Sequence, residues 1–246
     1  APHADAEGRC SQEAAARSVA QKVQGQAGHI TRATTERLRE APPLPFALSS
    51  LQEEAGQRYG FGAKETLELA QALYDKAIIS YPRSDCDYLP EAQHAEAPAI
   101  LKALGQSDPA LLPLLQQAQP VLRAPAWNDR KAGPGAASHH AIVPLATVVR
   151  VEALPEAERR LYDLIRRRYL AQFFPDAEAD QTRIELTVAG EVFIATGRVP
   201  VVSGWRAVLP SPRSQALTEG EPEASDEAGN AGQMLPAVQD GETVRV

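Results

Sequence analysis

Two short segments of the chain hold side chains that could do chemistry. The first runs IISYPRSDCDYLP over residues 78–90, and its centre is Tyr81-Pro82-Arg83-Ser84-Asp85. Proline disfavours a helical residue before it, so Tyr81 is expected in extended backbone at the end of an element. In extended chain, residues two apart project to the same side. Arg83 would then stand beside Tyr81, able to hold a phosphate oxygen next to the phenolic oxygen. A phenol has a pKa of about 10 and is mostly protonated at neutral pH. A neighbouring cation favours the phenolate and stabilises the charge that builds in a phosphoryl transition state. The pair therefore suits a tyrosine nucleophile. The same residues also suit a buried strand tyrosine whose neighbour Arg83 pairs with Asp85 or Asp87, and the spacing alone does not separate the two.

The second segment is SHHAIVP, residues 138–144, which follows a loop carrying Arg130 and Lys131. Adjacent histidines on a strand point to opposite faces, so only one of His139 and His140 is expected to enter a site. One surface and one half-buried histidine would fit equally. No third His and no Cys lies at ligand spacing, so no metal site is expected. Cys10 and Cys86 are far apart in sequence and match no metal pattern. There is no glycine-rich phosphate loop and no Gly-x-Ser-x-Gly. Paired carboxylates such as Glu53 and Glu54 fall among polar neighbours, and no acidic cluster suggests two-metal phosphoryl transfer.

The elements that must position these residues follow from period and punctuation. Residues 11–25 read as a helix with Ser11 at its N-cap and Ala15, Val19 and Val23 on one face. Residues 28–40 read as a strand. The proline-rich stretch APPLPF, 41–46, breaks both patterns and marks a domain crossing. Helices are expected over 47–59 (face Leu48, Leu51, Ala55, Tyr59) and 63–77 (face Leu67, Ala70, Leu73, Tyr74, Ala77), separated by Gly60 and Gly62. Shorter helical stretches cover 91–105 and 108–118, a loop covers 120–137, and the clearest helix spans 155–173 with Leu161, Leu164, Ile165 and Tyr169 as its buried stripe. After Pro175 the period becomes two: strands are expected at 180–189, 191–198, 203–209 and 240–246. The order suggests an α+β, multi-domain chain: a helical domain at 44–173 inserted into a β-rich one formed by 1–43 and 174–246.

The net charge of −7 argues against nucleic acid in general terms, but the charge is uneven. Glu219, Glu221, Glu223, Asp226 and Glu227 sit in one solvated stretch. Arg123, Arg130, Lys131, Arg150, Arg159, Arg160, Arg166, Arg167 and Arg168 form a basic group that suits DNA or simply a solvated helix face. The apolar runs are too short to span a membrane, and a reducing cytoplasm is the expected compartment.

Read together, the motifs resemble one family. PPLPFALSSLQEEA (42–55), FGAKETLELAQALYDKAIISYPRSDCDYLP (61–90), SHHAIVP, EAERRLYDLIRRRYLAQFFPDA (156–177) and SGWRAVL (203–209) occur in the order found in bacterial type IA DNA topoisomerases, and YPRSD with His-His-Ala resembles the topoisomerase III branch. The resemblance implies a helical, tyrosine-bearing domain inserted into a β-rich gate or arch, with hinges at the proline-rich stretches near 41–46 and 174–176. It implies that Tyr81 attacks a single-stranded DNA phosphodiester, forms a transient 5′-phosphotyrosine link and reseals it without ATP, so that a second strand passes and DNA is relaxed or decatenated. Arg83 would hold the scissile phosphate, and His139 would contact a phosphate or move a proton. Arg130, Lys131 and His140 would touch the DNA, with Ser84 and Asp85 in supporting roles. Ser80 and Leu145 depart from the commoner threonines. The family's metal-binding domain, with its acidic cluster, is not resembled here. The implied Mg2+ therefore belongs to the full enzyme and no cofactor to this part, the missing domain is an expected partner, and this part alone is expected to be inactive. A cytoplasmic, nucleoid-associated protein without membrane contact is implied. The competing reading is a non-catalytic single-stranded DNA-binding module. A relaxase would want two histidines separated by one residue, and a tyrosine recombinase would carry its tyrosine late in the domain.

Overall fold

A computed structural model describes residues 12–133, 139–209 and 235–245. The described residues fall into two compact units. One comprises residues up to 39, 178–201 and the C-terminal stretch, and the other holds 40–177 and the residues after 201.

The first unit is a small sheet with one helix. Its elements are α1 (Glu13–Val23), β1 (Ala27–Glu40), β2 (Ala177–Val188), β3 (Glu191–Val202) and β4 (Thr243–Arg245), in the sheet order β3-β2-β1-β4. β1 and β4 are antiparallel, with His29 opposite Thr243. Thr31 reaches Glu185, Thr35 meets Thr182 and Arg37 bridges to Asp180, a descending register that makes β1 and β2 antiparallel too. β2 and β3 are joined by Ala189 and Gly190, both at positive φ, which gives the two-residue turn that matches strand twist. Val23, Ile30, Ile184 and Val188 are buried and form its apolar centre. Ser11 lies outside the described residues, and the N-cap position of α1 falls on Gln12.

The second unit is helical: α2 (Leu48–Tyr59), α3 (Ala63–Asp75), α4 (Ala97–Ser107), two single turns α5 (Leu112–Leu115) and α6 (Asp129–Ala132), and α7 (Glu156–Leu170). α2, α3 and α7 pack on one another through Leu51, Ala55, Ala70, Leu73, Leu161, Ile165 and Tyr169, all at most 1 % exposed. The expected stripe of α7 is buried throughout, whereas the face of α3 is Thr66, Ala70 and Leu73, with Tyr74 40 % exposed. α3 also ends two residues early, at Asp75, because Ala77 turns left-handed at φ 54°.

The crossings lie at 39–40, 177–178 and 201–202 rather than at 43–44 and 173–174. Both proline-rich stretches belong to the helical unit because hydrogen bonds tie them into it. The Gln172 side-chain amide donates to the Pro43 carbonyl (2.7 Å), and the Trp205 indole donates to the Glu40 carbonyl (2.7 Å). The strand expected over 203–209 is instead a 3₁₀ turn, Gly204–Ala207. Gly204 sits at φ 49°, where a Cβ would lie 2.4 Å from the Pro175 carbonyl oxygen, so this close approach admits only glycine.

Candidate active site

Tyr81 is delivered by a short antiparallel ladder. The Ser80 amide donates to the Val143 carbonyl (2.9 Å), and the Leu145 amide donates to the Ile78 carbonyl (2.9 Å). Ile79 stands opposite Pro144 between these bonds, where a missing proline N–H leaves nothing unpaired. Ser80, 7 % exposed, adds two more: its hydroxyl donates to the Ala141 carbonyl (3.0 Å) and accepts from the Val143 amide (2.9 Å). Residues 46–48 close the third side, with the Ile142 amide on the Phe46 carbonyl (2.7 Å) and the Leu48 amide on the Ser84 carbonyl (2.8 Å). Ser80, which resembled a mere departure from threonine, is thus the side chain that knits the two motifs together. No sequence period announces such a role.

This ladder brings Tyr81 against His139, far downstream in sequence, with ring centroids 5.3 Å apart and planes at 63°. A second ring against Tyr81 is that of Tyr74, from the last turn of α3, at 5.8 Å and 80°. Tyr81 is half-buried, and among the described residues its hydroxyl makes no hydrogen bond. Arg83 is exposed and likewise bonds to no described residue, so neither Asp85 nor Asp87 engages it. The buried strand tyrosine with a neutralised arginine is not what the chain builds.

The six tyrosines differ in what their hydroxyls are free to do. Tyr162 and Tyr169 are 0 % and 1 % exposed, out of reach of a DNA strand, and burial raises the pKa of both, Tyr162 to about 12. Burial also raises Tyr59. The Tyr88 hydroxyl is taken by the Lys131 ammonium at 3.0 Å. The Tyr162 and Tyr169 hydroxyls have no partner but are buried, whereas Tyr74 is exposed and Tyr81 half-buried; of these last two, only Tyr81 has His139 against its ring and Arg83 two residues on.

The two histidines differ in exposure. His139 is exposed, while His140 is half-buried with Nδ1 2.8 Å from the Ala141 carbonyl oxygen. A carbonyl only accepts, so Nδ1 carries the proton and Nε2 of the neutral ring is left as an acceptor. Burial pulls the His140 pKa below its ordinary value. Arg130 and Lys131 are exposed on the single turn α6, which is capped by the Asn128 side chain accepting from the Lys131 amide (3.0 Å). Ser84 is 1 % exposed and its hydroxyl accepts from the Cys86 amide (3.2 Å), so it shapes the turn after Arg83, while Asp85 is exposed. Among the described residues no group of three His, Cys, Asp or Glu could hold a metal ion. No helix among them is long and apolar enough to cross a membrane.

A family model described as DNA topoisomerase matches residues 2–246. The DNA topoisomerase 3 of Vibrio cholerae is 38% identical over 208 residues, covering 84% of this chain and 32% of that protein. The DNA topoisomerase 3 of Salmonella typhimurium is 39% identical over 226 residues, covering 90% of this chain and 33% of that protein. The chain thus spans about a third of the length of the curated relatives it matches. Full-length topoisomerase I from Thermotoga maritima shares the fold, with a TM-score of 0.64 at 20% identity over 98% of this chain and 36% of that one. With a family match over almost its whole length and relatives of this similarity, the chain belongs to the type IA DNA topoisomerases, similar to their topoisomerase 3 members.

Proposed function

We propose that this chain supplies the nucleophile half of an enzyme that cleaves and rejoins one DNA strand. The Tyr81 oxygen attacks a phosphorus of single-stranded DNA. A phosphorus–tyrosine ester forms, the bond to the 3′ oxygen breaks, and that oxygen leaves as a hydroxyl after taking a proton. One phosphodiester is exchanged for another, so resealing needs no ATP while a second strand passes. Arg83 holds the non-bridging oxygens, and His139, against the Tyr81 ring, contacts the phosphate or handles the proton. Arg130, Lys131 and His140 bear on the flanking backbone, with Ser84 and Asp85 fixing and flanking the turn.

The observation that carries this reading is the convergence of Tyr81 and His139 at 5.3 Å on a ladder held by Ser80. Mg2+ would be held by residues of a partner domain of the longer protein, since the described residues offer no ligand cluster, and no step above runs through it. This chain alone is therefore inactive in relaxation or decatenation, and the full protein is a cytoplasmic, nucleoid-associated enzyme without membrane contact.

The test is single-turnover cleavage of a labelled single-stranded oligonucleotide by the full-length protein. Removing the charge in Arg83→Ala is expected to slow cleavage about a hundred- to a thousandfold, the range for losing one charge-stabilising group, with His139→Ala slower than wild type as well. If both variants cleave at the wild-type rate while binding DNA normally, the roles given to Arg83 and His139 fail; if cleavage also survives in Tyr81→Phe, the chain is instead a non-catalytic single-stranded DNA-binding module.

A further inference from the structure

The Tyr81 ring meets two other rings. His139 is one. The other is Tyr74, a residue that no motif reading singled out. We infer that Tyr74 is a positioning residue for Tyr81, fixing the ring edge-on so that its hydroxyl faces the scissile phosphate; this rests on Tyr81 being the nucleophile.

Three observations support the inference. The rings meet at 5.8 Å and 80°, the edge-to-face geometry in which the positive rim of one ring meets the negative face of the other. Tyr74 is 40 % exposed at the end of a helix whose buried face is Thr66, Ala70 and Leu73, and its hydroxyl bonds to no described residue, so neither core packing nor a hydrogen bond explains it. Its backbone, moreover, is immobilised. The Tyr74 carbonyl accepts from the Ala77 amide (2.8 Å), the Leu73 carbonyl before it accepts from the Ile78 amide (3.1 Å), and Lys76 pairs with Glu158 of α7. The wall against which Tyr81 leans is thus anchored to the core, while Tyr81 itself lies on irregular chain.

A half-buried tyrosine with no hydrogen bond to hold it would sample several rotamers. Attack on phosphorus requires one, with the oxygen in line with the leaving group. A ring held by two ring contacts enters that geometry without first losing rotamer freedom, which speeds the chemical step and leaves substrate affinity alone.

The experiment measures the single-turnover rate of adduct formation and, separately, the affinity for a single-stranded oligonucleotide, in the full-length protein. Tyr74→Leu should lower the rate roughly two- to tenfold, the factor an edge-to-face pair is worth, with an unchanged dissociation constant. Tyr74→Phe, which keeps the ring, should restore the wild-type rate. A Tyr74→Leu rate equal to wild type overturns the inference. So does a loss confined to affinity, which would make Tyr74 a platform on which a base stacks. So does a Tyr74→Phe variant as slow as the leucine, which would assign the work to the hydroxyl. Tyr81→Phe runs alongside: if the adduct survives there, the nucleophile assignment fails and this inference with it, whereas a Tyr81-dependent adduct that ignores Tyr74 sinks only the inference.

Discussion

α2 and α3 both end on a residue in left-handed conformation, and the two ends are built differently. α2 stops at Gly60, φ 72°, whose amide bonds back to the Gly56 carbonyl (3.0 Å). Glycine takes that conformation freely, and a Cβ there would meet nothing within 4 Å. α3 stops at Ala77, φ 54°, where the Cβ crowds the following carbonyl at a cost of about 1–2 kcal/mol. The α3 end survives because its surroundings over-determine it. Ile78 and Ile79 are buried to 2 % and 0 %, the Thr147 hydroxyl donates to the Ala77 carbonyl (2.6 Å), and Lys76 holds Glu158. The relaxed end leads into another helix, and the strained one leads, four residues on, to Tyr81. Local strain kept in place by packing is a pattern found at functional sites.

That contrast can be broken or sharpened by mutation. The largest expected effect is Ile79→Ala, which empties a fully buried site beneath the ladder and should destabilise the helical unit by about 2–5 kcal/mol in denaturant unfolding. A loss well under 1 kcal/mol would show that the α3 end is not held by its core. Next comes Ser80→Ala, expected to cost about 1–3 kcal/mol because the buried Val143 amide loses its acceptor, the Ser80 hydroxyl. It should also slow adduct formation, since the ladder aligns Tyr81 with His139. Smaller, and opposite in sign to each other, are Gly60→Ala and Ala77→Gly, about 1 kcal/mol destabilising and up to about 1 kcal/mol stabilising. Equal signs would mean the two ends do not differ as described.

The smallest is a pH effect. Burial holds the His140 pKa below its ordinary value, so the unfolded chain binds a proton that the folded chain resists. Stability should therefore decline as pH falls below about 6.5, and level off beneath the lowered folded pKa. His140→Gln should flatten that part of the profile in unfolding measured between neutral and mildly acidic pH.

Much of this was legible in the sequence for physical reasons. Helical period and proline placement marked α2, α3 and α7, and the turn glycines at Gly60 and Gly190 stand where expected. Tyr81 and His139 stood out by residue type, and the fold brings their rings to 5.3 Å. Three features were not legible. The left-handed Ala77 was hidden because alanine is the best helix former, and only tertiary contacts force it out of the helix. Tyr74 was assigned to the buried face because its spacing fits the stripe, yet the helix end rotates it outward against Tyr81. The 3₁₀ turn at Gly204–Ala207 was read as a continuation of the preceding strands, while the deciding contact, Gly204 against the Pro175 and Asp176 carbonyls, is non-local.

The central claim is that Tyr81 is the atom donor of a covalent DNA link. The most direct test mixes the full-length protein with a labelled single-stranded oligonucleotide and magnesium, quenches with detergent, digests, and maps the DNA-bearing peptide. The account predicts a 5′-phosphate joined to the peptide containing Tyr81-Pro82-Arg83-Ser84-Asp85, absent from Tyr81→Phe. An adduct on any other residue, Tyr74 included, or none while the DNA is bound, would contradict it.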